Sequence, residues 1–196
     1  VEIRALLSDR RGSLWIGTGG NGLAEARDGR VRWLDTGSSS AGQWVYCLLQ
    51  DRSGNIWVGT GNGLLRIAAD GRLARYDREQ GPAAVVRSLA EDATGSIWVG
   101  LTDGLARVEG ERLVAAVRGE RRSGERVHSI LATADGVLWL ATDGGLLRFE
   151  NGRIENFSTR EGLPIDMLYW LVEDGDDLWI SSDLGLLRLP RRQIDE

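Results

Sequence analysis

Apolar runs of four to seven residues alternate with clusters of Gly, Asp, Asn and Ser along the whole chain. One stretch shows the pattern in full. VYCLLQ (45–50) is followed by the turn Asp51-Arg52-Ser53-Gly54, then by NIWVGT (55–60) and the turn Gly61-Asn62-Gly63. LLRIA (64–68) comes next, then the pair Asp70-Gly71 and RLARYD (72–77). Segments this short, with no sustained 3.6-residue spacing, predict strands rather than helices. Asp-Gly between two alternating runs predicts a tight hairpin, because such a turn needs positive φ at its centre.

The pattern repeats. Tryptophans stand at Trp15, Trp57, Trp98, Trp139 and Trp179, at intervals of 42, 41, 41 and 40, in the phrases GSLWIGT, GNIWVGT, GSIWVGL, GVLWLAT and DDLWISS. A Gly-Leu pair follows each, and an arginine comes next at a fixed offset in four repeats (Arg66, Arg107, Arg148, Arg188), with Glu25 in the first. Four antiparallel strands recurring about every 41 residues predict the blade of a β-propeller. The expected fold is all-β, with five blade repeats over approximately 1–43, 44–84, 85–125, 126–165 and 166–196. The last breaks off after its third strand, at GLLRL. Both chain ends fall inside repeats, so the five blades are expected to be part of a larger ring and of a longer protein.

The repeated tryptophan reads as packing: a large flat ring on the second strand fills the gap between neighbouring twisted sheets. Asp-x-x-Gly in the first three repeats (Asp9 to Gly12, Asp51 to Gly54, Asp92 to Gly95) reads as turn chemistry, with the carboxylate bonding the amides ahead of it. As calcium loops these turns offer too few oxygen ligands, and Thr133 and Glu173 replace the Asp in the last two repeats.

Composition narrows the function. A net charge of -5 without a basic cluster argues against nucleic-acid binding. Cys47, the one cysteine, rules out an internal disulfide and a cysteine-based zinc site. No apolar run reaches the roughly 18–20 residues of a membrane helix. No metal or cofactor is expected.

Repeat four carries the phrases Asp135-Gly136-Val137-Leu138-Trp139-Leu140-Ala141-Thr142, Gly145-Leu146-Leu147-Arg148-Phe149 and Asn151-Gly152-Arg153-Ile154, then Phe157 and Glu161-Gly162-Leu163-Pro164. In this order they resemble the two-component regulator propeller repeat, and the resemblance extends through all five copies. It implies an extracytoplasmic, periplasmic sensor region of a bacterial receptor. The implied partners are a small-molecule or oligosaccharide ligand and a downstream signalling domain in the same polypeptide. A homodimer is compatible with it, and a seven-bladed ring is suggested by it.

A ligand is expected on the face that carries the turn after the second strand and the connections between blades. Those turns hold Asn21, Asn62, Asp103, Asp143 and Asp183, and the connections hold Gln43 with Trp44, Arg121 with Arg122, and Arg160 with Glu161. Eleven residues before each marker tryptophan lies a varied column of Arg4, Tyr46, Arg87, His128 and Leu168. The candidate ligand-binding residues are Trp44, Tyr46, Arg87, His128, Asn62, Asp103 and Asp143. The bland alternative is a set of satisfied rim residues, with positive φ explaining the turn Asn and Asp. Trp170 falls in the apolar column of Leu6, Leu48, Leu89 and Ile130 and reads as core, which leaves Trp44 as the better aromatic candidate.

Two other functions fit a propeller. A protein-interaction scaffold needs no more than the fold. Streptogramin lyases have similar tryptophan-containing repeats, but catalysis of that kind needs a base with a metal or acid beside it. This chain has a single histidine, His128, and no Cys/His/Asp cluster at ligand spacing, so no enzyme is expected.

Overall fold

The computed structural model describes residues 1–36, 43–78, 85–116 and 126–194. Blade 1 consists of β1 (Ile3–Ser8), β2 (Leu14–Thr18), β3 (Leu23–Arg27) and β4 (Arg30–Leu34). Blade 2 follows with β5 (Val45–Gln50), β6 (Ile56–Thr60), β7 (Gly63–Ile67) and β8 (Leu73–Arg78). Blade 3 has β9 (Val86–Glu91), β10 (Ile97–Leu101), β11 (Gly104–Glu109) and β12 (Arg112–Ala115). Blade 4 has β13 (Val127–Ala132), β14 (Leu138–Thr142), β15 (Gly145–Glu150) and β16 (Arg153–Phe157). Blade 5 stops at three strands, β17 (Leu168–Asp174), β18 (Asp177–Ser182) and β19 (Gly185–Pro190), closed by a 3-10 turn at Arg191–Gln193.

Every blade is an antiparallel meander in chain order, as the alternating runs predict. Blades 2 and 3 are also joined at their outer edges. There β8 and β12 pair in parallel through Asp77 with Arg112 and Arg78 with Leu113, making one eight-stranded sheet.

The tryptophans pack between blades. Each ring points forward, Trp15 into blade 2, Trp57 into blade 3, Trp98 into blade 4 and Trp139 into blade 5, and each sits in a separate apolar cluster. Trp179 has no described blade ahead of it and is only half-buried. The arginine of the Gly-Leu phrase lies directly across the strand pair from the ring, as Arg66 does from Trp57 and Arg107 from Trp98. Their guanidiniums stand 5.8 and 5.7 Å from the indole centroids, within cation–π range.

Asp-x-x-Gly does more than turn the chain. Asp9 accepts amide bonds from Arg11 and Ser13 on one oxygen, and on the other the indole N–H of Trp15 at 2.9 Å. Asp51 and Asp92 hold the indoles of Trp57 and Trp98 in the same way, at 2.8 and 2.7 Å. Both carboxylate oxygens are thus engaged. Burial pushes Asp9 and Asp92 up, but the hydrogen bonds from indole, hydroxyl and amide donors outweigh it and hold both below the ordinary aspartate value.

The glycine two residues after the tryptophan lets blades approach. A Cβ at Gly59 would lie 2.6 Å from Val86 Cγ1 of the next inner strand, so β9 can seat only against a bare backbone. The result is a tight fan whose inner strands, β1, β5, β9, β13 and β17, line one channel.

Both ends of the fan are open. On blade 1, Leu6, Val31 and Trp33 face outward, with Trp33 53% exposed. On blade 5, Trp170 and Leu186 do so, at 62% and 64%. This corrects the reading of Trp170 as core. The β17–β18 hairpin turns on only Gly175 and Asp176, where Ser8 to Leu14 spans five loop residues in blade 1. Blade 5 therefore reaches its tryptophan one residue early. Leu171, pairing with Ile180, takes the apolar column, and Trp170 moves to the position of Cys47, Ser88 and Ser129.

Candidate ligand-binding site at the channel mouth

The same one-residue offset changes the varied column. Its fifth member is Tyr169, not Leu168, which is fully buried against blade 4. With that correction the column forms an arc of Arg4, Tyr46, Arg87, His128 and Tyr169 near the start of each inner strand. It stands at the end where the second-strand turns and the blade connections lie. Strand alternation puts these side chains beside the channel while their neighbours Val45, Val86, Val127 and Leu168 enter the core.

The first half of the arc is aromatic and basic. Trp44 enters from the connection into blade 2, which is anchored to the second-strand turn of blade 1. The amides of Gly20 and Gly22 donate to the Gln43 carbonyl, and Trp44 bridges Gly19. Its ring stacks on Tyr46 with centroids 6.5 Å apart. The Arg4 guanidinium lies 4.7 Å from the Trp44 ring and 5.4 Å from Tyr46, and is paired with Glu2 at 3.0 Å. Arg87 approaches the Tyr46 ring at 4.8 Å.

The second half is held by carboxylates. His128 Nε2 and Asp143 Oδ1 are 2.5 Å apart, and Arg126 stands 4.0 Å from Asp143. The Tyr169 hydroxyl donates to Asp183 at 2.7 Å, and that bond holds its pKa above the ordinary phenol value. The His128 and Tyr169 rings meet edge-on at 5.4 Å.

These contacts separate the turn residues into two kinds. In the turn Asp143-Gly144 between Thr142 and Gly145, and in Asp183-Leu184 between Ser182 and Gly185, the acid stands first and reaches the inner strand. In Gly61-Asn62 and Thr102-Asp103 the polar residue stands second, and both Asn62 and Asp103 are exposed. Positive φ does not account for any of them. It belongs to the glycine that follows, at +99° for Gly63 and +122° for Gly145, and among non-glycine described residues only Asp28 and Asn151 have it. Asn62 is placed instead by its amide bond to the Thr60 hydroxyl.

Below the arc lies a cavity of about 320 Å³ lined by the inner strands, with Arg4, Tyr46, Cys47, Arg87, Ser129 and Trp170 among its walls. Burial pushes the Cys47 thiol up to about 12, so at neutral pH it is a wall and not a nucleophile. Among the described residues there is no group of three or more His, Cys, Asp or Glu arranged to hold a metal ion. No described helix is long and apolar enough to cross a membrane.

The structure thus brings together Trp44, Tyr46 and Arg87 on one side and His128 with Asp143 on the other. Arg4, Tyr169 and Asp183 join them. Asn62 and Asp103 stay on the outer rim, and Arg121 and Arg122 lie outside the described residues.

The family model described as the two component regulator propeller matches residues 1–20, 39–62 and 122–144, parts of three different repeats. Among solved structures, the chain is similar to the extracellular domain of the hybrid two component system BT4673 from B. thetaiotaomicron. The identity is 21% and the TM-score 0.80, over 96% of this chain and 27% of that one. It is also similar to a catalytically inactive virginiamycin B lyase from Staphylococcus aureus with quinupristin, at 16% identity and a TM-score of 0.77, over 95% of this chain and 64% of that one. A gluconolactonase from Xanthomonas campestris, XC5397, aligns at 15% identity and a TM-score of 0.64, over 94% of this chain and 70% of that one. The chain therefore spans about a quarter of that extracellular domain, and at these identities the likeness is one of fold. No curated protein matches the chain. Phrases, turns and marker tryptophans recur in register through five blades, and the two component regulator propeller model matches parts of three of them.

Proposed function

We propose that this propeller is the ligand-binding part of a bacterial signal-transduction receptor, exposed outside the cytoplasm. It takes a small molecule or oligosaccharide at the channel mouth and passes the event to an output domain in the same polypeptide. The arc of Arg4, Trp44, Tyr46, Arg87, His128 and Tyr169 carries this reading. These side chains change from blade to blade while the strands that hold them stay constant, which is how a rigid scaffold presents a specific site. The match to the two component regulator propeller model supports the signalling role.

A panel of oligosaccharides screened by thermal shift and titration calorimetry tests it. The expected result is binding that Trp44→Ala and Tyr46→Ala weaken by about tenfold, the range measured for aromatic contacts at binding sites. Binding that ignores both substitutions would remove the mouth as the site. The fold likeness to a lyase adds one further arm. Turnover of a streptogramin that is lost in His128→Ala would favour an enzyme, since the His128–Asp143 pair is an arrangement suited to proton transfer.

A further inference from the structure

The two halves of the arc differ in how their charge is balanced. In blades 4 and 5 the first residue of the second-strand turn is an acid, and it holds the ring of the inner strand in place (Asp143 on His128, Asp183 on Tyr169). In blade 3 that position is Thr102, and the inner strand carries Arg87. Arg87 lies against Tyr46 and forms no ion pair with another described residue. Arg4, on the far side of the same ring, has Glu2. Among the described residues, the cavity beneath is lined by both arginines and by no carboxylate. In a protein of net charge -5, two arginines thus line the cavity at the channel mouth.

We propose that the channel mouth binds the anionic group of an acidic ligand, a carboxylate or a sulfate, with Arg87 as its direct partner. The proposal rests on the ligand-binding reading above and specifies its chemistry. A guanidinium offers two parallel N–H donors that match either anion. Field lines concentrate in a cleft with low-dielectric walls, so an unneutralised cation there attracts an anion more strongly than it would on an open surface. The Tyr46 ring keeps Arg87 in place without neutralising it. Trp44, stacked on Tyr46 in the same half of the arc, offers a flat apolar surface for the uncharged part of such a ligand.

The test uses three trisaccharides of equal length: one of galacturonic acid, one of neutral galactose, and one of galactose carrying sulfate esters. Calorimetry is run on the wild-type protein, Arg87→Gln and Arg87→Lys, with circular dichroism checking that each variant folds. The expected result is that one or both acidic sugars bind at least about tenfold more tightly than the neutral one. Their affinity falls with added salt, Arg87→Gln removes the difference, and Arg87→Lys restores part of it. Which acidic sugar binds separates carboxylate from sulfate. Equal binding of neutral and acidic sugars overturns the proposal and leaves the ligand-binding reading standing, as does acidic binding that survives Arg87→Gln. Should Arg87→Gln fail to fold, salt-independent binding of the acidic sugars by the wild type overturns it in the same way. No binding of any of the three overturns the proposal and counts against that reading as well.

Discussion

Blades 2 and 4 carry the same ring in the same register and treat its polar atom in opposite ways. Trp57 faces Arg66 across the strand pair as Trp139 faces Arg148, and their exposures are 3% and 0%. The Trp57 indole donates to Asp51, whereas the Trp139 N–H is buried with no hydrogen-bond partner among the described residues. Thr133 stands where Asp51 would, and its hydroxyl is directed instead to the Val137 carbonyl and to Asp135. The turn's carboxylate has moved to Asp135, which also meets Arg191 of blade 5. The blade therefore needs the volume of the ring, while the indole bond is an addition that ties the hairpin to the core.

That contrast can be broken most severely at the acceptor. Asp51→Ala leaves the indole of Trp57 and the amide of Asn55 without their partner, and a loss of about 2–4 kcal/mol in urea unfolding is expected from two such groups. Asp135→Ala in blade 4 touches no indole and should cost clearly less.

The next test is at the ring. Trp57→Phe and Trp139→Phe remove similar volume, but only the first takes a hydrogen bond from a buried carboxylate, whose Oδ2 keeps the Asn55 side-chain amide at 2.7 Å, and only the second relieves an orphaned donor. Trp57→Phe should be the more damaging by about 1–2 kcal/mol. Equal losses would show that the indole bond contributes nothing. Thr133→Asp then runs the comparison in reverse. Supplying an acceptor to Trp139 should raise stability by about 1 kcal/mol, read as a higher melting temperature.

The smallest effect is in acid. Asp9 and Asp92 are held below the ordinary aspartate value of 3.8, so their contribution is complete above about pH 4 and is lost as pH falls through the depressed folded values. The doubly substituted Asp9→Asn, Asp92→Asn protein should be less stable at neutral pH and show a shallower fall of stability as pH drops below about 4.

The blades were legible because their signals are local. Strand length, alternation, Asp-Gly hairpins and one tryptophan per repeat lie within a few residues of each other, and the meander needs nothing more. The Asp-to-indole bond spans six residues and runs from the hairpin turn to the second strand, so the carboxylate reads in sequence as turn chemistry alone. The fifth blade misled for a different reason. Counting back from Trp179 assumed a hairpin of constant length, although the last interval, 40 instead of 41, already recorded the missing residue. Correcting it turns Leu168 into Tyr169 and brings Trp170 out of the core. The turn acids needed the register itself. Asp143 and Asp103 look alike in sequence, yet a shift of one place in the turn decides which one touches the inner strand. Arg87 beside Tyr46 joins neighbouring blades, and no spacing within one repeat announces it.

The parallel pairing of β8 with β12 has a mechanical consequence. A propeller yields by its blades parting at the rim, where side-chain contacts alone usually resist. Between blades 2 and 3 that parting would also have to break backbone hydrogen bonds, so the two swing together as one stiff leaf. Tyr46 and Arg87 ride on that leaf and keep their spacing, while His128 and Tyr169 belong to leaves that can tilt against it. Any rearrangement that follows occupancy of the channel is then expected to hinge on the seam between blades 3 and 4, with the arginine side as the fixed jaw.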